Sequence, residues 1–284
     1  MPSMPIVDSH IHFWDPGQLN YPWLQDIPTL NHAFLPAQLD QAATAVNLQK
    51  IVFIQADCVP EDGLAEVAWV SQLAQTERRI QGIVAFAPLE NRAARATYLE
   101  KLKAFPLVKG VRRLIQSEAS GFASQPEFIQ GVQHLAQFGF SFDICIVHTQ
   151  LLEAIELVSQ CPEVAFVLDH FGKPAIANKR LEPWATQIRT LAQYPHVWCK
   201  LSGLVTEADH QNWTVGDLRP YVEVVLDAFG PQRLMFGGDW PVSELAASYQ
   251  QWVETADALL SALPEADRQR VFFANAQTFY RLDE

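Results

Sequence analysis

Cysteine is scarce in this chain of 284 residues: four stand far apart, at positions 58, 145, 161 and 199, with no C-x-x-C pair. That scatter excludes a disulfide-stapled fold, and Cys145 and Cys199, set in apolar runs, read as buried thiols rather than bridges. Positive charge is also in deficit, with 20 Lys and Arg against 32 Asp and Glu and a net charge of −12. A nucleic-acid phosphate track needs clustered basic residues, so nucleic acid is excluded as a partner. Small anions are not excluded, because a few inward arginines can create a local positive site. No apolar run approaches the ~20 residues a membrane helix requires. The opening MPSMPIVDSHIHFW has neither a basic region nor an uninterrupted apolar stretch, so no secretory signal is visible. The expected compartment is the cytoplasm. Internal repeats, low-complexity tracts and Gly/Ser linkers are missing too, so residues 1–284 are expected to form one domain.

What is present is a large apolar share, 49%, ample for a full core. Short β-branched and aromatic runs alternate with longer helical patterns from end to end. The spacing predicts strands over 4–10, 50–56, 82–88, 108–115, 141–147, 164–169, 196–202 and 233–239. Most are near-continuous apolar runs, as parallel strands buried on both faces should be. Helices are predicted over 36–46, 61–77, 91–104, 125–138, 151–159, 181–193, 216–229 and 246–262, with one more over 266–282. Eight strands each followed by a helix is the count of an α/β fold closed as a (β/α)₈ (TIM) barrel, whose usual size is ~250 residues. An open doubly wound sheet is the competing architecture, but no G-x-G-x-x-G follows the first strand. Residues 13–35, rich in Trp, Tyr, Pro and Asn, then form a long loop over the C-terminal mouth.

Three strand ends carry candidate chemistry. His10 and His12 follow strand one, and residues two apart on a strand point to the same side, so both imidazoles can face one cavity. Such a pair ligates divalent metals or polarises a substrate oxygen. Alone, an H-x-H is a weak signal that two loop histidines would also produce. His170 closes the sixth strand, where a single histidine is as readily a core or loop residue. Asp239 follows Gly237 and Gly238 at the end of the last strand, where capping the next helix is the plain alternative use of an Asp. Together the three are strong: barrel enzymes draw catalytic residues from the C-terminal ends of different strands. All four residues fall at such ends.

These residues carry a resemblance. H-x-H at strand one, His after a middle strand and Asp at strand eight resemble the amidohydrolase superfamily. HIHFWDP, YPW, GVRRLIQ, LDHFGKP, VWCKLSGL, MFGGDWPV and NAQTFYRL together resemble its sugar-lactone hydrolase branch of fuconolactonases and rhamnonolactonases. Sulfomuconolactone hydrolases and pyrone-dicarboxylate lactonases are relatives of that branch. The likeness runs from His10 to Leu282.

The resemblance implies hydrolysis of a small sugar-acid lactone, with Asp239 as general base and His10, His12 and His170 either binding a metal or donating to the carbonyl. Binuclear members place a bridging ligand at the end of strand four, where this chain has Arg112 and Arg113. At most one divalent ion, zinc, is therefore expected near His10, His12, His170 and Asp239, and metal-independent catalysis stays open. Arg112 and Arg113 point to opposite sides of their strand, and the G-v-R pattern favours Arg112 inward. Lys200 is expected to reach the mouth. Arg112, Lys200 and His148 would orient the substrate, and Trp14, Tyr21 and Trp23 would wall its ring. A zinc-dependent decarboxylase and a non-catalytic sugar-acid binder are the rival readings. The oligomeric state is open.

Overall fold

The eight strands of the sheet are all parallel and lie in chain order: β1 (Ile6–Ile11), β2 (Leu48–Ile54), β3 (Ile80–Ala85), β4 (Val108–Val111), β5 (Ser141–Ile144), β6 (Phe166–Leu168), β7 (Val197–Leu201) and β8 (Leu234–Phe236). The computed structural model describes residues 4–282, so the ends of the expected 1–284 span lie outside the described residues. Helices α1 (Pro36–Ala42), α2 (Gly63–Thr76), α3 (Arg95–Lys103), α4 (Pro126–Phe138), α5 (Leu151–Gln160), α6 (Trp184–Leu191), α7 (Val215–Phe229) and α8 (Tyr249–Leu259) follow the strands in turn. The sheet closes on itself just past β8. There the Asp239 N–H donates to the His10 carbonyl and the His12 N–H to the Trp240 carbonyl, both at 2.8 Å. This is the (β/α)₈ barrel that the alternation predicts, and the seam lies at the residues proposed to carry the chemistry.

Strand alternation divides the side chains between two layers. Ile6, Ile51, Ile83, Phe166 and Leu234 join the layer beneath the helices. Val7, Val52, Val84, Val167 and Met235 form a second, inner cluster. Phe279, Tyr280 and Leu282 join that inner cluster from the end of the chain and plug the barrel's lower opening. The single helix expected over 266–282 is instead three pieces: α9 (Glu265–Gln269), a π-helical turn (Arg270–Ala274) and α10 (Asn275–Phe279). A π turn inserts an extra residue into the helical repeat and so rotates the buried face. Val271 and Phe272 thereby pack in the outer layer while Tyr280 reaches the inner one.

Other predicted elements are trimmed. β4 ends at Val111 rather than 115 because the chain then leans across β5, where the Ile115 N–H donates to the Cys145 carbonyl at 3.0 Å. The helix after β8 starts at Tyr249, capped by the Ser248 hydroxyl. Residues 13–35 fold back on themselves through paired Trp14–Phe34 backbone bonds of 3.1 and 2.9 Å, which bring Trp14 and Trp23 to the mouth.

Candidate active site

His10 and His12 face the same side, as their spacing predicts, and a register irregularity between Asp8 and Ile11 turns them to the lumen that Val7 enters lower in β1. The Nε2 atoms of His10, His12 and His170 lie 3.7, 3.6 and 3.9 Å from one oxygen, Oδ1 of Asp239. All four side chains are buried. Asp239 sits in the left-handed backbone region at φ 54°. Its carboxylate caps no helix, since α8 takes its cap from Ser248.

His170 owes its position to a left-handed turn at residues 170–173, where φ is 52°, 55°, 68° and 50°. Side chains other than glycine adopt that conformation at a cost of roughly 1–2 kcal/mol each. Surrounding contacts hold it: the Trp184 indole donates to the Phe171 carbonyl at 2.7 Å, and His170 Nδ1 meets the Ser202 hydroxyl at 2.8 Å. The turn carries both His170 and Lys173 into the pocket.

Beneath the three imidazoles lies a buried charge network. Lys200 Nζ is 2.6 Å from Asp143 and 3.0 Å from Asp169, with all three side chains fully buried. Arg112 binds Asp169 at 3.3 Å and the Gln55 carbonyl at 2.6 Å. Tyr280 donates to Asp143 from below at 2.6 Å. His10 stands between two cations, with Nδ1 3.2 Å from Lys200 Nζ and Nε2 3.3 Å from the Arg112 guanidinium. Both neighbours only donate, and a neutral imidazole accepts at one nitrogen. Only one of the two contacts is therefore a hydrogen bond at a time.

Burial lowers the pKa of all three histidines, His170 to about 4 against the opposing pull of Asp239 and Asp169. They are neutral at pH 7. Burial would raise Asp239, but His170, the contact with His12, and His10 outweigh it and hold the carboxyl well below its usual range. Asp169 is likewise depressed, because Lys200, His10 and Arg112 overcome the cost of its burial.

The pocket above has a volume of about 250 Å³. His12, His170, Asp239 and Arg112 line its floor, and Trp14, Trp23, Ala56, Leu114 and Val242 supply apolar wall. Arg112 faces inward, while Arg113 pairs outside with Glu90 and Glu118. Three expected substrate contacts are not there. Lys200 is fully buried in the charge network rather than at the mouth, because its strand position points it into the lumen between two carboxylates. Tyr21 lies behind the wall, its hydroxyl toward Glu66 at 3.4 Å. His148 stays outside the pocket and donates from Nδ1 to the Lys173 carbonyl at 3.1 Å. Sequence reasoning missed Asp143, Asp169 and Lys173. An Asp inside the apolar run SFDICIV was itself a signal, since a buried carboxylate demands a partner and Lys200 was the matching oddity.

The donor set fits one divalent cation. His12 Nδ1 lies 2.7 Å from the Ile54 carbonyl, which only accepts, so its proton is on Nδ1 and the bare Nε2 faces Asp239. Two acceptors facing each other at 3.6 Å repel unless a positive charge lies between them. His10, His170 and Asp239 place ligand atoms within 4.8 Å of one another, and His12 borders them. Arg112, at the end of β4, cannot ligate, so the residues do not fit a bridged pair. A second set, Cys145, Asp169 and His170, is a poor site, since Asp169 is committed to Lys200 and Arg112 and burial pushes the Cys145 thiol up to about 11.

Residues 7–282 match the family described as amidohydrolase. The chain belongs to that amidohydrolase family. An L-fucono-1,5-lactonase of Burkholderia multivorans is 35% identical to this amidohydrolase over 98% of the chain and 96% of its own length. An L-rhamnono-gamma-lactonase of Scheffersomyces stipitis is 24% identical over 99% of the chain and 100% of its own. A crystal structure of an amidohydrolase from Burkholderia multivorans with bound zinc superposes with a TM-score of 0.89 at 33% identity, covering 98% of this amidohydrolase and 100% of the other chain.

Proposed function

We propose that the protein hydrolyses the ring ester of a small sugar-acid lactone. The observation that carries this reading is the convergence of three neutral imidazoles on Oδ1 of Asp239 at the floor of a pocket. Pockets for drug-sized ligands run to roughly 300–1,000 Å³. A cavity of about 250 Å³ suits a single ring. Trp23, partly exposed on the wall in front of the buried Trp14, offers an apolar face to the ring's C–H side. The lactonases among the relatives supply the reaction class.

Ester hydrolysis needs a water stripped of its proton, a stabilised oxyanion and a proton for the leaving alkoxide. Asp239, ionised at neutral pH, accepts the proton as the water oxygen bonds to the carbonyl carbon. The Arg112 guanidinium, which lines the pocket, faces the developing negative charge. As the ring C–O bond breaks, Asp239 returns its proton to the departing oxygen, leaving an open-chain hydroxy acid. His10, His12, His170 and Asp239 would hold a divalent cation, which when bound polarises the carbonyl and acidifies water. The test is a pH-indicator screen of aldonolactones with and without chelator. Acid release from at least one lactone supports the proposal, and a broad panel with binding but no turnover would end it in favour of a binding protein. A decarboxylase on this barrel, 2,6-dihydroxybenzoate decarboxylase from Rhizobium, is only 13% identical and shares the fold alone.

A further inference from the structure

We infer that the ion pair between Lys173 and Glu207 makes the pocket selective for uncharged lactones over lactones that carry a carboxylate, an inference that rests on the lactone-hydrolase reading. Two cations line the pocket, Arg112 and Lys173, and each already has a carboxylate partner. Arg112 is committed to Asp169 and the Gln55 carbonyl in the barrel floor. Lys173 Nζ stands 3.9 Å from Glu207, close enough to balance its charge yet too far for a direct hydrogen bond, so its N–H groups are open to a neutral hydroxyl.

Both members are held by backbone. Lys173 ends the left-handed turn that also carries His170, with its N–H donating to the His170 carbonyl at 2.8 Å and its carbonyl accepting from His148. Glu207 ends a short 3₁₀ turn (Val205–Glu207) after β7, where its carbonyl accepts from the Ala177 N–H at 3.0 Å. Thr206, its neighbour, lines the pocket. The remaining charges on the wall are Asp57 and Asp239, both negative. A ring bearing hydroxyls meets Gln116, Ser117 and Thr206 beside these charges. A ring bearing a carboxylate meets like charge from Asp57 and finds Lys173 already balanced by Glu207, and like-charge juxtaposition weighs against the wrong partner.

The test compares an aldonolactone with the lactone of the same ring in which a carboxylate replaces the exocyclic group, using kcat/KM for each. Wild type should favour the neutral ring by ~10²-fold or more. Glu207→Gln removes the balancing charge while keeping size, and should narrow the gap by ~10-fold, chiefly by improving the carboxylated ring. Lys173→Met leaves Glu207 unopposed and should widen it. A wild-type preference for the carboxylated ring, or a ratio unmoved in both variants, overturns the inference while leaving lactone hydrolysis intact. Turnover of neither ring, in a protein that also fails the wider aldonolactone screen, takes down both readings.

Discussion

Gly203 is packed against His170 so closely that a Cβ there would stand 2.7 Å from the imidazole Cγ and closer still to Nδ1. Its φ of +62° adds a second reason for glycine. Gly203 follows Ser202, whose hydroxyl meets the same imidazole, so β7 sets the ring that β6 delivers. Gly203→Ala should move His170 out of line. The expected result is a fall in kcat of ~10²-fold, the scale of a misplaced catalytic group, with ~1–3 kcal/mol lost from stability. Turnover and a denaturant melt on one preparation check it. Unchanged kcat would mean that the placement of His170 is not critical.

Asp239→Asn keeps the size and tolerates the left-handed backbone, but removes the proton acceptor. Turnover should drop at least ~10²-fold. Because the imidazoles hold Asp239 well below the ordinary carboxylate range, the wild-type rate should not fall with acid until pH is below ~4, the ordinary carboxylate value. A variant with near wild-type kcat would remove Asp239 from the mechanism.

Lys200→Met discriminates the observed role from the expected one. Removing the ammonium leaves Asp169 with Arg112 and Asp143 with Tyr280 alone in the core, and breaking a buried pair costs roughly 3–5 kcal/mol. A substrate contact at the mouth would instead raise KM and leave the melting temperature alone. Thermal unfolding and KM measured together separate the two.

Glu66 offers a pH test away from the catalytic residues. Buried behind Tyr21, it accepts the Ala56 N–H at 3.0 Å, and burial pushes its pKa up from 4.5 to about 7. The folded protein thus keeps a proton that the unfolded chain has released. The stabilisation is fully present below about pH 4.5 and is lost as pH rises through about 7. Glu66→Gln cannot titrate, so its stability should fall less than that of wild type across this window, by on the order of 2–3 kcal/mol. Chemical denaturation at pH 4.5 and pH 8 reads the difference, and parallel curves would contradict it.

For the metal, the donor set predicts one ion per chain by elemental analysis. Zinc added to chelated protein should raise the melting temperature, since an ion at 100 times its Kd stabilises by ~2.7 kcal/mol. His12→Ala should diminish that rise. Two tightly bound ions per chain would contradict the single-site reading.

The barrel, and the four residues at its mouth, were legible because they depend on local pattern. Apolar runs mark strands buried on both faces, and spacing of two puts His10 and His12 on one side. A barrel's strand ends share one face, so His170 and Asp239 could be assigned to the same cavity without any distance. The same parity argument set Arg112 and Arg113 on opposite sides, and the resemblance chose Arg112 as the inward one. What the tertiary structure decided were matters of partner and depth. Lys200 is odd in an apolar strand wherever it points, and only closure of the barrel puts Asp143 and Asp169 within 3.0 Å of it. Trp14, Tyr21 and Trp23 are alike as loop aromatics, yet the fold seats Tyr21 against Glu66 behind the wall and leaves the two indoles on the pocket. Lys173 reaches the pocket through left-handed backbone dihedrals that nothing in DHFGKP beyond its one glycine announces, because contacts from Trp184, Ser202 and His148 impose them. Periodicity is a property of neighbours in sequence. Ion pairing and strain are properties of residues brought together from distant strands, so only the closed barrel decides them.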